Sequence, residues 1–239
     1  MDKTEFLVLF LIAIVSIAVV FQIFDILLKE KGKDNNKMMK NQDLIKLPEP
    51  RYESDTCVEE AILRRRSVRS YRDEALSLKE ISQILWAAQG ITEKRGYKRA
   101  APSAGATYPL EIYVVVGKLE GIAPGIYHYI PKEHSLKRTI SGDYRKRLTD
   151  AALGQSFVED APIDLVFCAV YERTTSRYGE RGIRYVHMEA GHAAQNVYLQ
   201  CQSLDLGTVV VGAFNDNKMK KILNLEKEEP LYVMPVGRI

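Results

Sequence analysis

The stretch LEIYVVVGKLEGIAPGIYHYIPKEHSLKRTI, residues 110–140, decides the fold. It contains three runs rich in β-branched and aromatic residues, at 110–116, 126–130 and 136–140. Runs of this kind favour β-strands. The four residues PKEH at 131–134 separate the second run from the third, and this spacing predicts a hairpin. At least part of the sheet is therefore expected to be antiparallel.

Further strands are predicted on the C-terminal side of this stretch. The run IDLVFCAV at 163–170 is apolar throughout, as in a buried central strand. Two shorter runs, at 208–212 and 231–236, have the composition of short strands. We therefore expect these runs to extend the same sheet.

Capping patterns and apolar spacing predict the helices. Ser77 and Glu80 have the spacing of a capping box, and Gly90 stands where the helix that they open would end. Thr56 and Glu59 form a second such pattern. Its helix is expected to bury Val58, Ala61 and Ile62.

Two more helices are predicted in the second half of the chain. One covers 143–153, before Gly154. The other is indicated by a long apolar stripe at helical spacing, formed by Val186, Ala190, Ala194, Val197, Cys201 and Leu204. Because helices and strands are interspersed and the sheet contains a hairpin, we expect an α+β domain over 44–239. Its helices would flank one mixed or antiparallel sheet.

The N-terminal segment has a different composition. Residues 6–24 form a run of 19 without a charge, and a helix of that length would span about 28 Å, close to the ~30 Å of a bilayer's hydrocarbon. A cleaved signal peptide fits less well, because the first five residues are not basic and no small-residue cleavage site follows. We therefore predict a transmembrane anchor at 1–28 and a lysine-rich linker at 29–43. The basic flank predicts a single-pass membrane protein whose C-terminal domain faces the cytoplasm.

Composition excludes several classes of protein. The chain has 239 residues, of which 46% are hydrophobic and 27% are charged, and these fractions exclude a disordered, collagen-like or polytopic membrane protein. The net charge of +3 is too small to require a nucleic-acid partner. Cys57, Cys168 and Cys201 are odd in number and widely spaced, so neither a disulfide framework nor a zinc site is predicted.

Common catalytic and cofactor motifs are absent from the sequence. It contains no phosphate loop, no dinucleotide fingerprint and no Gly-x-Ser-x-Gly elbow. His187 and His192 are five residues apart, and this spacing does not place them on one helical face. We interpret them as ordinary hydrogen-bonded histidines and predict no metal site.

The first motif with chemical content is RRRSVRSY at 64–71, which contains four arginines within six residues. Arginine binds phosphate in a bidentate manner, and a neighbouring hydroxyl adds a donor. A solvated basic face, or a helix C-terminus that complements its dipole, would have the same composition. The motif alone leaves these alternatives open.

Two other stretches gain meaning only beside the first. The stretch APSAGATYP at 101–109 is dominated by small residues, as in a tight surface turn or in a backbone that approaches a large flat molecule. The C-terminal run LYVMPVGR at 231–238 places Arg238 at the end of a strand. This arginine is uninformative by itself.

The ordered set RRSVRSY, PSAGATYPLEIYVVV, GHAAQNVYLQCQSLDLG and PVGR resembles the nitroreductase superfamily of FMN-dependent oxidoreductases. Within it, the sequence is most similar to the branch of azoline-oxidising, thiazole- and oxazole-forming dehydrogenases. The resemblance covers residues 57–239. It implies an α+β sandwich that forms an intertwined homodimer with two FMN sites at the interface.

The resemblance also implies site residues. One edge of FMN would be lined by Arg65, Arg66, Ser67 and Arg69. The partner subunit would contribute Pro102, Ser103, Ala104 and Gly105 along the ring. Gly212 would pass close to the ring face, Arg238 would reach the phosphate, and Glu189 and Gly191 stand near a position where relatives contact the flavin or its ligand.

The implied activity is ping-pong hydride transfer from NAD(P)H through flavin N5 to a nitro compound, quinone or similar conjugated acceptor. The flavin would carry the chemistry, so no catalytic side chain is predicted. Tyr108, Arg177 and Tyr178 would shape the substrate site. Azoline oxidation and reductive dehalogenation are alternatives on the same fold, but Arg177 stands where azoline oxidases have lysine. An alternative of another class is a membrane-tethered basic module that uses residues 64–69 to bind nucleic acid or anionic lipid.

Overall fold

A computed structural model of the chain describes residues 44–93, 95 and 97–239. The predicted transmembrane anchor at 1–28 and the predicted linker at 29–43 lie outside the described residues. Among the helices that are described, none is long and apolar enough to cross a membrane. Residues Ile45–Ile239 form one compact unit.

One sheet of seven strands runs through the described part of the chain, in the order β1-β4-β3-β2-β5-β7-β6. The strands are β1 (Leu44–Lys46), β2 (Leu110–Val116), β3 (Gly125–Ile130), β4 (Ser135–Ser141), β5 (Ile163–Ala169), β6 (Leu206–Thr208) and β7 (Glu229–Arg238).

The three runs in residues 110–140 form three neighbouring strands, as predicted. β2 pairs antiparallel with β3, and β3 pairs antiparallel with β4, with Tyr113 opposite His128 and Tyr129 opposite Leu136. β5 lies between β2 and β7, antiparallel to both, and every residue in it is buried. The prediction of a buried central strand is therefore confirmed.

The helices lie on both sides of this sheet. They are α1 (Val58–Arg64), α2 (Leu78–Gln89), α3 (Arg145–Ala151), α4 (Phe157–Asp160), α5 (Glu172–Tyr178), α6 (Arg181–Gln202) and α7 (Asp216–Leu223). Strand side chains alternate between two cores: Ile112 and Val114 pack with α2 and α6, whereas Tyr113 and Val115 pack with α3, α4 and α7. This arrangement confirms the α+β sandwich with flanking helices.

The two predicted capping boxes have different outcomes. At the start of α2, Ser77 Oγ accepts a bond from Glu80 N at 3.3 Å, and Glu80 Oε2 accepts one from Ser77 N at 2.7 Å. The box predicted at Thr56 and Glu59 is wrong. Cys57 precedes the first helical residue there, which moves the Thr56 hydroxyl out of the capping position, and no side chain caps the helix.

The predicted buried face of α1 is also wrong in part. Ala61 is buried, but Val58 and Ile62 are 63% and 57% exposed. The short helix contacts the rest of the domain through one side only. A run of apolar residues does not indicate which side that is.

Other predicted boundaries are shifted by a few residues. The helix predicted over 143–153 is α3, Arg145–Ala151. The strand predicted at 208–212 lies earlier in the chain, since β6 covers Leu206–Thr208. Beyond β6, only an isolated bridge joins Val211 to Val233. All three cysteines are free.

Candidate functional site

The arginine-rich segment, residues 65–69, covers one edge of the sheet. Ser67 forms a parallel bridge to Thr208, and the backbone N–H of Val68 donates to the Thr208 carbonyl at 2.9 Å. β6 is the last strand at this edge, so the segment satisfies backbone groups that would otherwise be unpaired. The segment is thereby fixed beside the ends of β6 and β7.

The side chains of this segment present positive charge and a hydroxyl. The guanidinium carbon of Arg65 lies 5.1 Å from the centre of the Tyr198 ring, and Ser67 Oγ lies 3.1 Å from Tyr198 Oη. Arg66 and Arg69 are exposed. None of the ion pairs among the described residues includes Arg65, Arg66 or Arg69. Uncompensated guanidinium groups beside a hydroxyl suit a phosphate.

The neighbouring arginines at 64 and 238 are already paired. Arg64 Nη1 lies 3.1 Å from Glu60, and its Nη2 lies 3.2 Å from Asp205. Arg238 Nη2 lies 3.0 Å from the Glu80 carboxylate, on α2. In this structure Arg238 therefore has a carboxylate partner, whereas Arg65, Arg66 and Arg69 have none among the described residues.

The small-residue stretch forms a strained turn, which we call the 103–108 turn. Its central 3₁₀ segment is Ala104–Ala106. Gly105, Ala106 and Tyr108 have φ values of +59°, +54° and +45°, in the left-handed region that residues other than glycine adopt rarely. Ser103 Oγ accepts a hydrogen bond from Tyr108 N at 2.9 Å and closes the turn.

Arg177 and Tyr178, two of the predicted substrate residues, lie on α5 and contact this turn. Arg177 Nη1 donates to the Gly105 carbonyl at 3.1 Å. A Cβ atom on Gly105 would lie 2.5 Å from the Tyr178 hydroxyl and 2.8 Å from Arg177 Nη1, so no larger residue fits without movement. The structure therefore brings Gly105, Tyr108, Arg177 and Tyr178 together.

Glu189 lies inside the domain, beneath the 103–108 turn. It is 2% exposed, Gln89 Nε2 donates to its Oε1 at 3.4 Å, and Ser103 also forms a hydrogen bond with it. Burial raises the pKa of Glu189 to about 7, while these two hydrogen bonds and the charge of Arg99 act in the opposite direction. Arg99 in turn donates to Gln89 Oε1 at 3.0 Å.

Gly191 and Gly212 leave exposed backbone. A Cβ atom on Gly191 would meet nothing within 4 Å, and one on Gly212 would come no closer than 3.8 Å to the ring of Tyr232. Gly191 is exposed whereas Glu189 is buried, although both are on α6. The two predicted contact residues therefore face different sides of this helix.

Sequence reasoning missed several residues that organise the site. Tyr198 contacts Ser67 and Arg65, while Gln89 and Arg99 support Glu189. The available signal was the presence of polar groups at Gln89 and Tyr198 within stretches that form buried helices. Among the described residues, no group of three or more His, Cys, Asp or Glu side chains could hold a metal ion.

The described residues thus form an α+β sandwich with arginines that lack ion pairs at one sheet edge and a glycine turn held by α5. Residues 62–238 match the Nitroreductase family, and the chain belongs to that family. A Methanocaldococcus jannaschii protein named as a nitroreductase is 55% identical over 181 residues, which cover 76% of this chain and 90% of that protein. A crystal structure of a nitroreductase-named protein from Ralstonia eutropha JMP134 has a TM-score of 0.72 and 34% identity, and covers 82% of this chain and 89% of that one.

Two more distant relatives indicate the range of the family. The Bacillus subtilis FMN reductase [NAD(P)H] is 26% identical over 184 residues, which cover 72% of this chain and 59% of that protein. The Escherichia coli microcin B17-processing protein McbC is 28% identical over 171 residues, which cover 69% of this chain and 63% of that protein. This chain thus spans about three fifths of each of these two relatives. The similarity to McbC agrees with the resemblance to the azoline-related branch.

Proposed function

We propose that this protein is an FMN-dependent oxidoreductase that transfers hydride from NAD(P)H to a nitro, quinone or similar conjugated acceptor in a ping-pong cycle. The observation that carries the proposal is the set of uncompensated arginines at 65, 66 and 69 beside the Ser67 hydroxyl. The family match and the FMN reductase among the relatives support it.

The residues present fit the chemistry of FMN. Its phosphate carries nearly two negative charges, and these need guanidinium or hydroxyl donors where no phosphate loop exists. Arg65 and Ser67 supply such donors without competing carboxylates. The exposed backbone at Gly212 leaves room for a flat ring system. When bound, FMN would supply the hydride-accepting and hydride-donating centre.

The chain's own residues bind and orient the cofactor. Arg65 and Ser67 would hold the phosphate end, and Tyr198 keeps Ser67 in position through a 3.1 Å contact. Arg69 would meet the pyrimidine edge, where a cation stabilises negative charge. In the proposed homodimer, the 103–108 turn of one subunit would lie along the ring held by the other. No side chain is assigned as a general base.

A second candidate is azoline oxidation, which the similarity to McbC favours. The Tyr178 hydroxyl lies beside Gly105, where it would face the substrate of an azoline oxidase. Arg177, however, holds its proton far more strongly than a lysine does. The reductase proposal therefore has the better support from the residues themselves.

Membrane attachment is a separate proposal that rests on the sequence of residues 1–28. It would hold the enzyme at the cytoplasmic face of a membrane. Fractionation of cells that express the full chain tests it directly. Recovery of the protein wholly in the soluble fraction would contradict it.

A visible spectrum of the purified full chain tests the proposed function. We expect a flavin spectrum, retention of added FMN by the protein, and bleaching under anaerobic conditions by NADH or NADPH. An Arg65→Gln, Arg69→Gln double variant should bind FMN at least about tenfold more weakly, because each lost charged hydrogen bond contributes about 1.5–3 kcal/mol.

Arg64→Gln provides the matched control, since this side chain is already paired with Glu60 and Asp205. It should leave FMN affinity unchanged. A colourless protein that fails to retain added FMN would refute the proposed function.

A further inference from the structure

Three arginine side chains contact the 103–108 turn. The guanidinium carbon of Arg99 lies 4.5 Å from the centre of the Tyr108 ring. Arg173 and Arg177, both on α5, donate to the carbonyl oxygens of Tyr108 and Gly105, each at 3.1 Å. The turn therefore lies in a positive environment supplied by its own chain.

These three arginines differ in exposure and in their partners. Arg173 forms an ion pair with Glu111 at 2.5 Å. Arg99 is half-buried and donates to Gln89. Arg177 is exposed, and none of the ion pairs in the described part of the chain includes it. Arg177 is thus the guanidinium of the three that is free to meet an anion.

The surroundings of Arg177 suit a carboxylate. A guanidinium has five N–H donors, and the bond to Gly105 uses one of them. Its carbon lies 5.4 Å from the centre of the Tyr178 ring, and the Tyr178 hydroxyl lies beside the same glycine. A planar guanidinium can bind a carboxylate through two parallel hydrogen bonds, and a phenol hydroxyl adds another donor.

We propose that Arg177, together with the hydroxyl of Tyr178, binds a carboxylate on the electron acceptor. The preferred acceptor is then an anionic conjugated compound, such as a nitroaromatic or quinonoid carboxylate. This inference rests on the proposed function, because it places the acceptor beside the turn that would lie along the flavin. Arg177 acts here as a specificity-determining residue.

A matched pair of acceptors tests the inference on the FMN-loaded full chain. The pair is para-nitrobenzoate and para-nitrobenzamide, which differ in the negative charge. Arg177→Gln should lower kcat/KM for the nitrobenzoate by at least about tenfold, the loss expected for a charged hydrogen bond. It should leave the value for the nitrobenzamide within about twofold.

Further variants separate charge from position. Arg177→Lys keeps the charge without the planar fork and should recover part of the preference for the anion. Tyr178→Phe should reduce that preference by about tenfold or more, because the lost hydrogen bond is one to a charged carboxylate. Arg184→Gln changes another exposed arginine, on α6, and should leave both acceptors unaffected.

Binding without turnover gives an independent measurement. Benzoate is titrated into the oxidised, FMN-loaded protein while the flavin absorbance is followed. The wild type and Arg184→Gln should bind benzoate equally well, and Arg177→Gln should bind it more weakly. Equal losses on both acceptors with unchanged benzoate affinity would overturn the inference.

The donor is examined separately, because NADPH carries a phosphate that NADH lacks. If Arg177→Gln raised only the KM for NADPH, the residue would serve the donor and the acceptor assignment would be wrong. A protein that binds no FMN would refute the proposed function and the inference with it. A flavin-loaded enzyme that does not distinguish the two acceptors would refute the inference alone.

Discussion

Tyr198 and Ser67 join the central helix α6 to the arginine-rich segment through hydroxyl groups 3.1 Å apart. The Tyr198 oxygen also accepts a hydrogen bond from the backbone N–H of Val210 at 2.8 Å. Because Tyr198 is buried on a long helix, its hydroxyl is a fixed point for both partners. The position of Ser67 is therefore set by packing inside the domain.

Tyr198→Phe tests this connection. The variant removes a partner from Ser67 and from Val210, so we expect a loss of about 1–2 kcal/mol in the free energy of unfolding. FMN binding should weaken several-fold, as measured by quenching of flavin fluorescence. Tyr144→Phe is the control, since that ring packs against Arg147 on a different helix. Wild-type FMN affinity in Tyr198→Phe would show that Ser67 needs no such support.

Glu189 should make stability depend on pH. Its pKa of about 7 in the folded protein lies above its ordinary value of 4.5, so folding favours the protonated carboxyl. The resulting destabilisation is absent below about pH 4.5, grows up to about pH 7 and is constant above. Over that range, Glu189→Gln should gain up to about 3 kcal/mol of stability relative to the wild type.

Chemical denaturation across this pH range measures the effect of Glu189→Gln. Glu180→Gln is a suitable comparison, because Glu180 is exposed just before α6. Its stability curve should run parallel to that of the wild type. Parallel curves for Glu189→Gln as well would mean that the carboxyl titrates normally.

Asp164, on β5, is a second buried carboxyl. Neither of its side-chain oxygens has a hydrogen-bond partner among the described residues, and burial raises its pKa well above 3.8 despite the charge of Arg145. The folded state therefore favours the neutral acid, and the wild type should lose stability as the pH rises above that value.

Asp164→Asn should be more stable than the wild type at neutral pH, and its advantage should increase with pH. Unfolding in urea at mildly acidic and mildly alkaline pH is the measurement. Asp150→Asn, an exposed change on α3, should show no such trend. A constant difference between Asp164→Asn and the wild type would contradict the raised pKa.

Gly212→Ala separates folding from cofactor binding. The new methyl group would meet no atom of the chain closer than 3.8 Å, so the free energy of unfolding should change by less than about 0.5 kcal/mol. If the flavin passes over this backbone, the same methyl should weaken FMN binding. Ala213→Ser, at the next exposed position, should leave FMN affinity unchanged. Normal FMN affinity in Gly212→Ala would remove Gly212 from the site.

The sequence predicted the sheet well because its strands carry strong local signals. The strand at 110–116 was predicted with its observed bounds, since its β-branched run has sharp ends. The cap at Ser77 was equally clear, because both partners lie within one helical turn. By contrast, the start of α1 depended on whether Thr56 or Cys57 precedes the first helical residue, and the sequence pattern allowed either.

Contacts between distant parts of the chain account for what sequence reasoning missed in the candidate site. Arg238 and Glu80 are 158 residues apart, and nothing local indicates that they pair. Glu189 was predicted to be near the flavin, but its hydrogen-bond partner Gln89 is 100 residues away in the chain. The sequence alone was enough to recognise the order of the motifs. It was not enough to predict which side chains pair with each charged group.

The hydrogen bond between Val68 and Thr208 bears on how readily this protein aggregates. The arginine-rich segment pairs with the edge strand β6 and, in our proposal, also holds the cofactor. Loss of the cofactor would then weaken this pairing and expose the backbone groups of β6 to pairing with another molecule. We expect protein depleted of FMN to exchange the Val68 amide proton faster and to aggregate sooner on storage. Bound FMN would then also protect the enzyme from aggregation.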